Sequence, residues 1–203
     1  QYYDNSGAIR DMIQSHGLQL LALITINQPN VFDAENFRPE KEKVLGKVRL
    51  LNGDLEGNVK IGQYKGYREE KFVSDDSLTE TYASINFEVN TDNWRGVPIN
   101  ISTGKKLKEK KTEIRIFFKS LENCIWKNSC ENVTKNVLTL NIYPKNEIVL
   151  SINGGFNPKD LPERKDLKFT FEREGLVKFP YSNALKDVYN LEKVYTPSTK
   201  EVL

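Results

Sequence analysis

The sequence predicts an α+β fold with one extensive, mainly antiparallel β-sheet and helices towards the two ends of the chain. Two observations support this class: apolar residues follow helical spacing near the N-terminus, and seven β-branched or aromatic runs fill much of the remainder. A third observation is that no helical pattern separates successive runs after Ser77. Parallel neighbours need a long crossover, usually a helix, so antiparallel pairing is favoured.

The first predicted helix runs from Ser6 to about Ile26. Its apolar positions are Ile9, Met12, Ile13, Leu20, Leu21, Leu23 and Ile24. They follow helical spacing and then surround the axis, which predicts that the second half of the helix is buried. Asn5 or Ser6 can cap the N-terminus by accepting a hydrogen bond from the first free amides, and Pro29 follows the other end.

A charged segment, RPEKEKVLGKVRLL, follows at residues 38–51 and predicts a second helix or a passage from helix to strand. The predicted strands are NVKIGQY, TYASINFEVN, VPINIST, TEIRIFFK, NVLTLNIY, EIVLSIN and LKFTFER. We expect them to form one sheet. A closing helix is predicted around Tyr181 to Leu191.

Length, charge and cysteine content narrow the class of protein. The 203 residues, 38% of them hydrophobic, suffice for one large domain with a sizeable core. A net charge of +2 implies neither nucleic acid nor an anionic membrane as partner. Two cysteines, Cys124 and Cys130, do not make a disulfide framework, so we expect a reducing, cytoplasmic compartment. The longest apolar stretch, Leu18 to Ile26, is too short to cross a bilayer, and the N-terminus does not resemble a signal peptide.

Several kinds of site are excluded by missing motifs. The sequence has neither a GxGxxG fingerprint nor a Walker loop, so it builds no phosphate cradle for a nucleotide. One histidine and no close Cys/His cluster support no zinc site, and we expect no metal. No GxSxG elbow presents a serine nucleophile.

The only histidine, His16, follows Asp11 and Ser15 within two predicted helical turns and precedes the apolar half of the helix. Two interpretations stay open: a structural imidazole, or a catalytic one. In an α-helix, five steps place His16 about 140° around the axis from Asp11, so the two would flank a ligand. Asp11 could equally be a solvated carboxylate favoured by the helix dipole.

A second candidate site is the lysine-rich loop that follows WRGVPINISTG. Its lysines are Lys105, Lys106, Lys108, Lys110 and Lys111. Such a cluster attracts anions, and a phosphorylated small molecule needs only two of them beside a turn such as Thr103-Gly104. A basic, solvated hairpin is the alternative, and the residues alone do not select which two would bind.

Two blocks of the chain resemble the glucose-6-phosphate dehydrogenase family. These are YYDNSGAIRDMIQSHGLQLLALI and WRGVPINISTGKKLKEKKTEI, and a weaker similarity continues through NVLTLNIYPKNEIVLSING and YSNALKDVY. The resemblance is to the C-terminal domain of that family, and it covers nearly all of residues 1–203. It implies a large, mainly antiparallel sheet with helices packed on one face, the other face serving in dimer formation.

The resemblance also implies an activity: oxidation of D-glucose 6-phosphate to 6-phosphogluconolactone with hydride transfer to NADP, the first step of the oxidative pentose phosphate pathway. His16 matches the family's catalytic base, and an imidazole suits that task near neutral pH. Asp11, Lys105 and Lys110 match substrate-binding positions. No coenzyme-binding residue is assigned to this chain, because the N-terminal Rossmann domain that mainly binds NADP is expected to be missing from it. We therefore expect this chain alone to be inactive, and the enzyme to be a homodimer or tetramer.

Two other functions are weighed against this one. A non-catalytic scaffold could keep the fold, although the joint presence of His16, Asp11, Lys105 and Lys110 argues against it. An anion or nucleic-acid binder could use the lysine loop, but no base-stacking aromatic residue lies between Gly104 and Lys111.

Overall fold

The computed structural model describes residues 2–31, 33–120, 133–156 and 162–171. Two compact units divide this part of the chain, with the boundary between Lys106 and Leu107. The α+β class and the antiparallel pairing are confirmed, since every described strand pair is antiparallel. The described strands form two four-stranded sheets, however, rather than the single sheet expected from the sequence.

The first unit opens with a nearly continuous run of helix. It comprises α1 (Tyr2–Ala8), a π-helix (Ile9–Gly17) and α2 (Leu18–Thr25), followed by α3 (Ala34–Leu45). The predicted first helix therefore starts earlier than Ser6 and is not one regular α-helix. Neither Asn5 nor Ser6 caps it. The backbone turns sharply at Gly7. Ala8, the residue that precedes the π-helix, makes no side-chain capping hydrogen bond.

The charged segment at residues 38–51 is a passage from helix to strand, as one of the two expectations had it. It covers most of α3, which Asp33 caps by accepting a 2.8 Å hydrogen bond from the Asn36 amide, and then β1 (Val48–Leu50). This hydrogen bond holds the pKa of the Asp33 carboxyl below its usual value. No helix in the described part of the chain is long and apolar enough to span a bilayer.

The first sheet is built around β3 (Tyr82–Val89). Along one edge of β3 lie β1 and β2 (Val59–Gly62), and along the other lies β4 (Ile99–Gly104). Short 3-10 turns at Leu51–Gly53 and Tyr67–Glu69 complete the connections.

The helices pack on one face of this sheet, as expected. Alternate residues of β3 face them, and the contacts form two apolar clusters. Their buried members are Ala8, Ile13, Ala83 and Ile85 in one cluster and Leu21, Val44 and Val89 in the other. Gly17 permits the close approach of helix to sheet, because a Cβ at that position would lie 2.9 Å from Cγ2 of Ile101 on β4. The core of this unit therefore lies directly beneath the helix that carries His16.

The second unit contains a four-stranded meander: β5 (Thr112–Phe117), β6 (Val137–Tyr143), β7 (Glu147–Phe156) and β8 (Pro162–Thr170). Strand β8 begins well before the predicted run LKFTFER and ends within it. Its first half, PERKD, is charged, so a search for apolar runs does not identify it as part of a strand. Charged residues are common on edge strands, and β8 lies at the edge of its sheet. The predicted helix at 181–191 and both cysteines lie outside the described residues.

Candidate active site

The π-helix brings Asp11 and His16 onto nearly the same side of the helix. Its hydrogen bonds span five residues, as at its C-terminal end, where the Leu18 amide donates to the Ile13 carbonyl. Residues five apart therefore lie almost above one another, whereas an α-helix would separate them by about 140°. The expected flanking arrangement is thus wrong for a geometric reason: the larger angle holds for an α-helix and not for a π-helix.

His16 is exposed, and Asp11 is half-buried. Within the described part of the chain no hydrogen bond or ion pair to the imidazole is found, so the side chain is not held as a buried structural histidine would be. Ser15 does not join the pair, because its hydroxyl donates to the backbone carbonyl of Asp11. The surface therefore presents a carboxylate and an imidazole together.

Glu80 fixes the point at which the π-helix begins. Its backbone carbonyl accepts a 3.0 Å hydrogen bond from the Ala8 amide, and its carboxylate Oε1 accepts a 2.8 Å hydrogen bond from the Ile9 amide. The carboxylate thus satisfies a free donor at a helix N-terminus, where negative charge is favoured. Gly7 makes room for it, since a Cβ there would lie 2.4 Å from Glu80 Oε1.

The start of the helical run is anchored through Asp4. Its carboxylate Oδ1 accepts hydrogen bonds from the hydroxyls of Ser77, at 2.6 Å, and of Tyr67, at 2.9 Å. These bonds hold the pKa of Asp4 below its usual value, while burial, followed by the Asp4 carboxylate, raises the pKa of Tyr67. Asp4 itself is therefore tied to the loop between β2 and β3.

The lysines at the end of β4 differ in their partners. Lys106 forms a 2.7 Å ion pair with Glu70, and its ammonium lies 4.3 Å from the centre of the Tyr64 ring. Lys105 makes no ion pair within the described residues, and its ammonium lies 4.5 Å from the centre of the Tyr3 ring. The charge of Lys106 is compensated by a carboxylate, whereas that of Lys105 is not.

Tyr3 connects Lys105 to the helix surface. Its pKa is raised to about 12, first by burial and then by the carboxylates of Glu80 and Asp11. The structure therefore brings Lys105 against the Tyr3 ring, and it places His16 on the same helix side as Asp11.

The remaining loop lysines belong to the second unit. Lys111 lies between Glu113, at 3.2 Å, and Glu109, at 3.6 Å, so its charge is compensated. Lys110 has no ion pair to a described residue, and its ammonium lies 5.4 Å from the centre of the Tyr143 ring. Of the two lysines selected by resemblance, Lys105 lies in the first unit and Lys110 in the second.

Tyr3 and Glu80 were not among the site residues predicted from the sequence. Tyr3 stood within the quoted block YYDNSGAIRD but carried no spacing that pointed to Lys105, which is 102 positions away. Glu80 is one of three carboxylates in the polar run DDSLTET, which gives no local sign of a cap for a distant helix. The one signal that could have pointed to an unusual backbone there is Gly7, which lies within the first turn of the predicted helix.

Known proteins similar to this chain agree on one family. A family model described as glucose-6-phosphate dehydrogenase, C-terminal domain, matches residues 1–202. A glucose-6-phosphate 1-dehydrogenase of Streptococcus pneumoniae serotype 4 is 37% identical over 207 aligned positions, covering 93% of this chain and 40% of the relative. The corresponding protein of Saccharomyces cerevisiae is 34% identical, covering 75% of this chain and 30% of the relative.

Solved structures give the same result. The crystal structure of glucose-6-phosphate 1-dehydrogenase from Mycobacterium avium matches with a TM-score of 0.86 at 29% identity, covering 99% of this chain and 42% of the other. A glucose-6-phosphate dehydrogenase in complex with its substrate glucose-6-phosphate matches with a TM-score of 0.83 at 30% identity, covering 99% and 43%. This chain spans about two-fifths of the length of these proteins. It belongs to the glucose-6-phosphate dehydrogenase family, and what it matches is that family's C-terminal domain.

Proposed function

We propose that residues 1–203 act as one domain, the substrate-binding part of an enzyme that oxidises D-glucose 6-phosphate at C1 to 6-phosphogluconolactone. The observation that carries this proposal is the exposed imidazole of His16 on the same helix side as Asp11. A histidine kept for stability is expected to be buried and hydrogen-bonded instead. The substrate class comes from the family and from the glucose-6-phosphate complex of one matched protein.

His16 is the general base in this proposal. It removes the proton from the C1 hydroxyl as the hydrogen on C1 leaves with its electron pair, so that the C–O single bond becomes the carbonyl of the lactone. Asp11 accepts a hydrogen bond from a sugar hydroxyl, which orients the ring towards the imidazole. NADP, when bound, accepts the hydride.

Lys105 and Lys110 bind the phosphorylated sugar through their positive charges. Neither is paired with a carboxylate within the described residues, whereas Lys106 and Lys111 are. An ammonium that keeps its net charge attracts a phosphate dianion more strongly than one already neutralised. Lys108 likewise has no ion pair to a described residue. The pairing therefore sets Lys106 and Lys111 apart, and the choice of Lys105 and Lys110 over Lys108 comes from the resemblance to the family.

The residues of this chain do not offer a coenzyme site of the usual kind, since the sequence contains no glycine-rich loop that could cradle a pyrophosphate. We assign NADP mainly to a separate N-terminal coenzyme domain. We also propose a cytoplasmic location, because two similar proteins of Arabidopsis thaliana are named as cytoplasmic isoforms.

The second sheet supports self-association. Paired residues of its four strands form two complete apolar rows on one face, Ile116, Leu138, Leu150 and Leu167 in one and Ile114, Leu140, Ile148 and Phe169 in the other. Leu167 and Phe169 are 47% and 61% exposed. A broad apolar face on a soluble protein is usually covered, and a two-fold homodimer, or a tetramer built from it, supplies that cover. Sedimentation of the full-length protein at micromolar concentration should give at least a dimer. Phe169→Lys, which places a charge on the apolar face, should shift the protein towards monomer. A monomeric wild-type protein would contradict the proposed self-association.

The catalytic proposal is tested by His16→Asn in a protein that also carries the coenzyme domain. We expect kcat to fall by about 10² to 10⁴, while KM for glucose 6-phosphate stays within a few-fold. The matched control is Gln14→Ala, an exposed neighbour on the same π-helix, which should leave kcat unchanged. A non-catalytic scaffold would instead show no NADPH formation even before substitution.

A further inference from the structure

Two neighbouring lysines at the end of β4 are held by tyrosine rings in different ways. Lys106 has both a ring, that of Tyr64, and a carboxylate, that of Glu70, at 2.7 Å. Among the residues that the structure describes, Lys105 has only the Tyr3 ring, whose centre lies 4.5 Å from its ammonium. The contact with Tyr3 attracts the ammonium through the ring's quadrupole and leaves its net positive charge uncompensated.

The Tyr3 ring is itself firmly placed. Asp4, the next residue, is anchored by Ser77 and Tyr67, and the Tyr3 side chain is half-buried. From the other side, the Lys105 amide donates a 2.8 Å hydrogen bond to the Thr81 carbonyl, which fixes the backbone that carries the ammonium. The Tyr3 hydroxyl also donates a 3.5 Å hydrogen bond to the Glu80 carbonyl. Ring and lysine backbone are thus held by adjacent residues, Glu80 and Thr81, and the long lysine side chain bridges them.

We propose that Tyr3 is a positioning residue for substrate binding: its ring holds the Lys105 ammonium ready for the phosphorylated sugar without neutralising it. This inference rests on the proposed function, in which Lys105 binds glucose 6-phosphate. A carboxylate in the place of the ring would hold the ammonium equally well but would compete with the phosphate for it. A free lysine would keep its charge but would lose side-chain freedom on binding.

The test measures KM and kcat for glucose 6-phosphate in the full-length enzyme. A cation–π contact at a partly exposed site corresponds to about a two- to fivefold change in affinity. Tyr3→Leu should therefore raise KM by about that factor and leave kcat within about twofold. Tyr3→Phe keeps the ring and should restore the wild-type KM. Tyr64→Leu, the matched control at the ring of the neutralised Lys106, should leave KM unchanged.

A double-mutant cycle separates this inference from the proposed function. In a Lys105→Gln background, Tyr3→Leu should have no further effect on KM, because the contact that it removes no longer exists. Replacement of Tyr3 by pentafluorophenylalanine keeps the shape of the ring and reverses its electrostatic face, so it should raise KM even if Tyr3→Leu fails to fold.

The outcomes that overturn the inference are distinct. If Lys105→Gln leaves KM unchanged, the assignment of Lys105 in the proposed function is wrong, and this inference fails with it. If Lys105→Gln raises KM but the fluorinated ring does not, the proposed function stands and Tyr3 has no positioning role. A rise in KM for Tyr3→Leu that Tyr3→Phe does not restore would also contradict the role of the ring.

Discussion

Substitution of Gly7 by alanine should damage the protein at the point where the π-helix begins. Gly7 has φ 70° and ψ 175°, a backbone conformation that is essentially restricted to glycine and costs other residues about 1 to 3 kcal/mol. The added Cβ would lie 2.4 Å from Glu80 Oε1 and 2.6 Å from Glu80 Cδ, so the carboxylate must move. Its hydrogen bond to the Ile9 amide is then lost, at about 1.5 to 3 kcal/mol for a bond to a charged group.

Together these contributions predict that Gly7→Ala lowers the free energy of unfolding by about 2.5 to 6 kcal/mol. Gly57→Ala is the matched control, since Gly57 also has a positive φ, of 76°, but has nothing within 4 Å of a Cβ. It should cost only about 1 to 2 kcal/mol for the backbone. Urea unfolding of the full-length protein measures both values. Equal losses for the two variants would refute the argument that Gly7 makes room for the Glu80 cap.

Three other predictions concern pH, charge and the extent of the enzyme. Asp4→Asn should lower the melting temperature at neutral pH, and its difference in melting temperature from the wild type should shrink as the pH falls below about 4. A carboxyl whose pKa is lowered in the folded protein stabilises the fold above its unfolded pKa and loses that effect as the pH falls through its folded pKa. A deficit of the same size at pH 3 and pH 7 would contradict this. Lys105→Ala and Lys110→Ala should raise KM for glucose 6-phosphate, most strongly at low salt. Lys106→Ala and Lys111→Ala remove charges that are already paired, so they should raise KM less. Equal effects of all four variants on KM in steady-state assays would count against the assignment of Lys105 and Lys110. The 203-residue chain alone, given glucose 6-phosphate and NADP, should form no NADPH in a spectrophotometric assay, because a glycine-rich coenzyme loop is absent from its sequence; turnover would show that the activity is complete within it.

Regular strands were the part of the fold that could best be predicted from the sequence. The runs TYASINFEVN and NVLTLNIY alternate or are rich in β-branched residues, and both are strands within two residues of the predicted bounds. The division into two sheets could not be predicted from the sequence, because it depends on which strands pair and not on the residue pattern within each strand. Strand β1 is only three residues long and was visible only as part of the segment that follows α3.

The candidate site was accessible only in part. His16 was singled out because it is the one histidine, and Asp11 because it precedes His16 within two turns. Their placement on one side of the helix could not be predicted, since propensities do not distinguish a π-helix from an α-helix and the difference changes the angle between residues five apart. Contacts such as Lys105 with Tyr3, or Glu80 with Ile9, join distant parts of the chain and leave no periodic trace.

The role of His16 as the base that takes the C1 hydroxyl proton is tested most directly by an isotope effect. The measurement is kcat of the full-length His16→Asn variant with glucose 6-phosphate that carries either hydrogen or deuterium at C1. If His16 is the base, kcat falls by about 10² to 10⁴ and the deuterated substrate reacts several-fold more slowly, because the chemical step now limits turnover. If kcat and the isotope effect both equal those of the wild-type enzyme while only the melting temperature falls, His16 is a structural residue and the catalytic assignment is wrong.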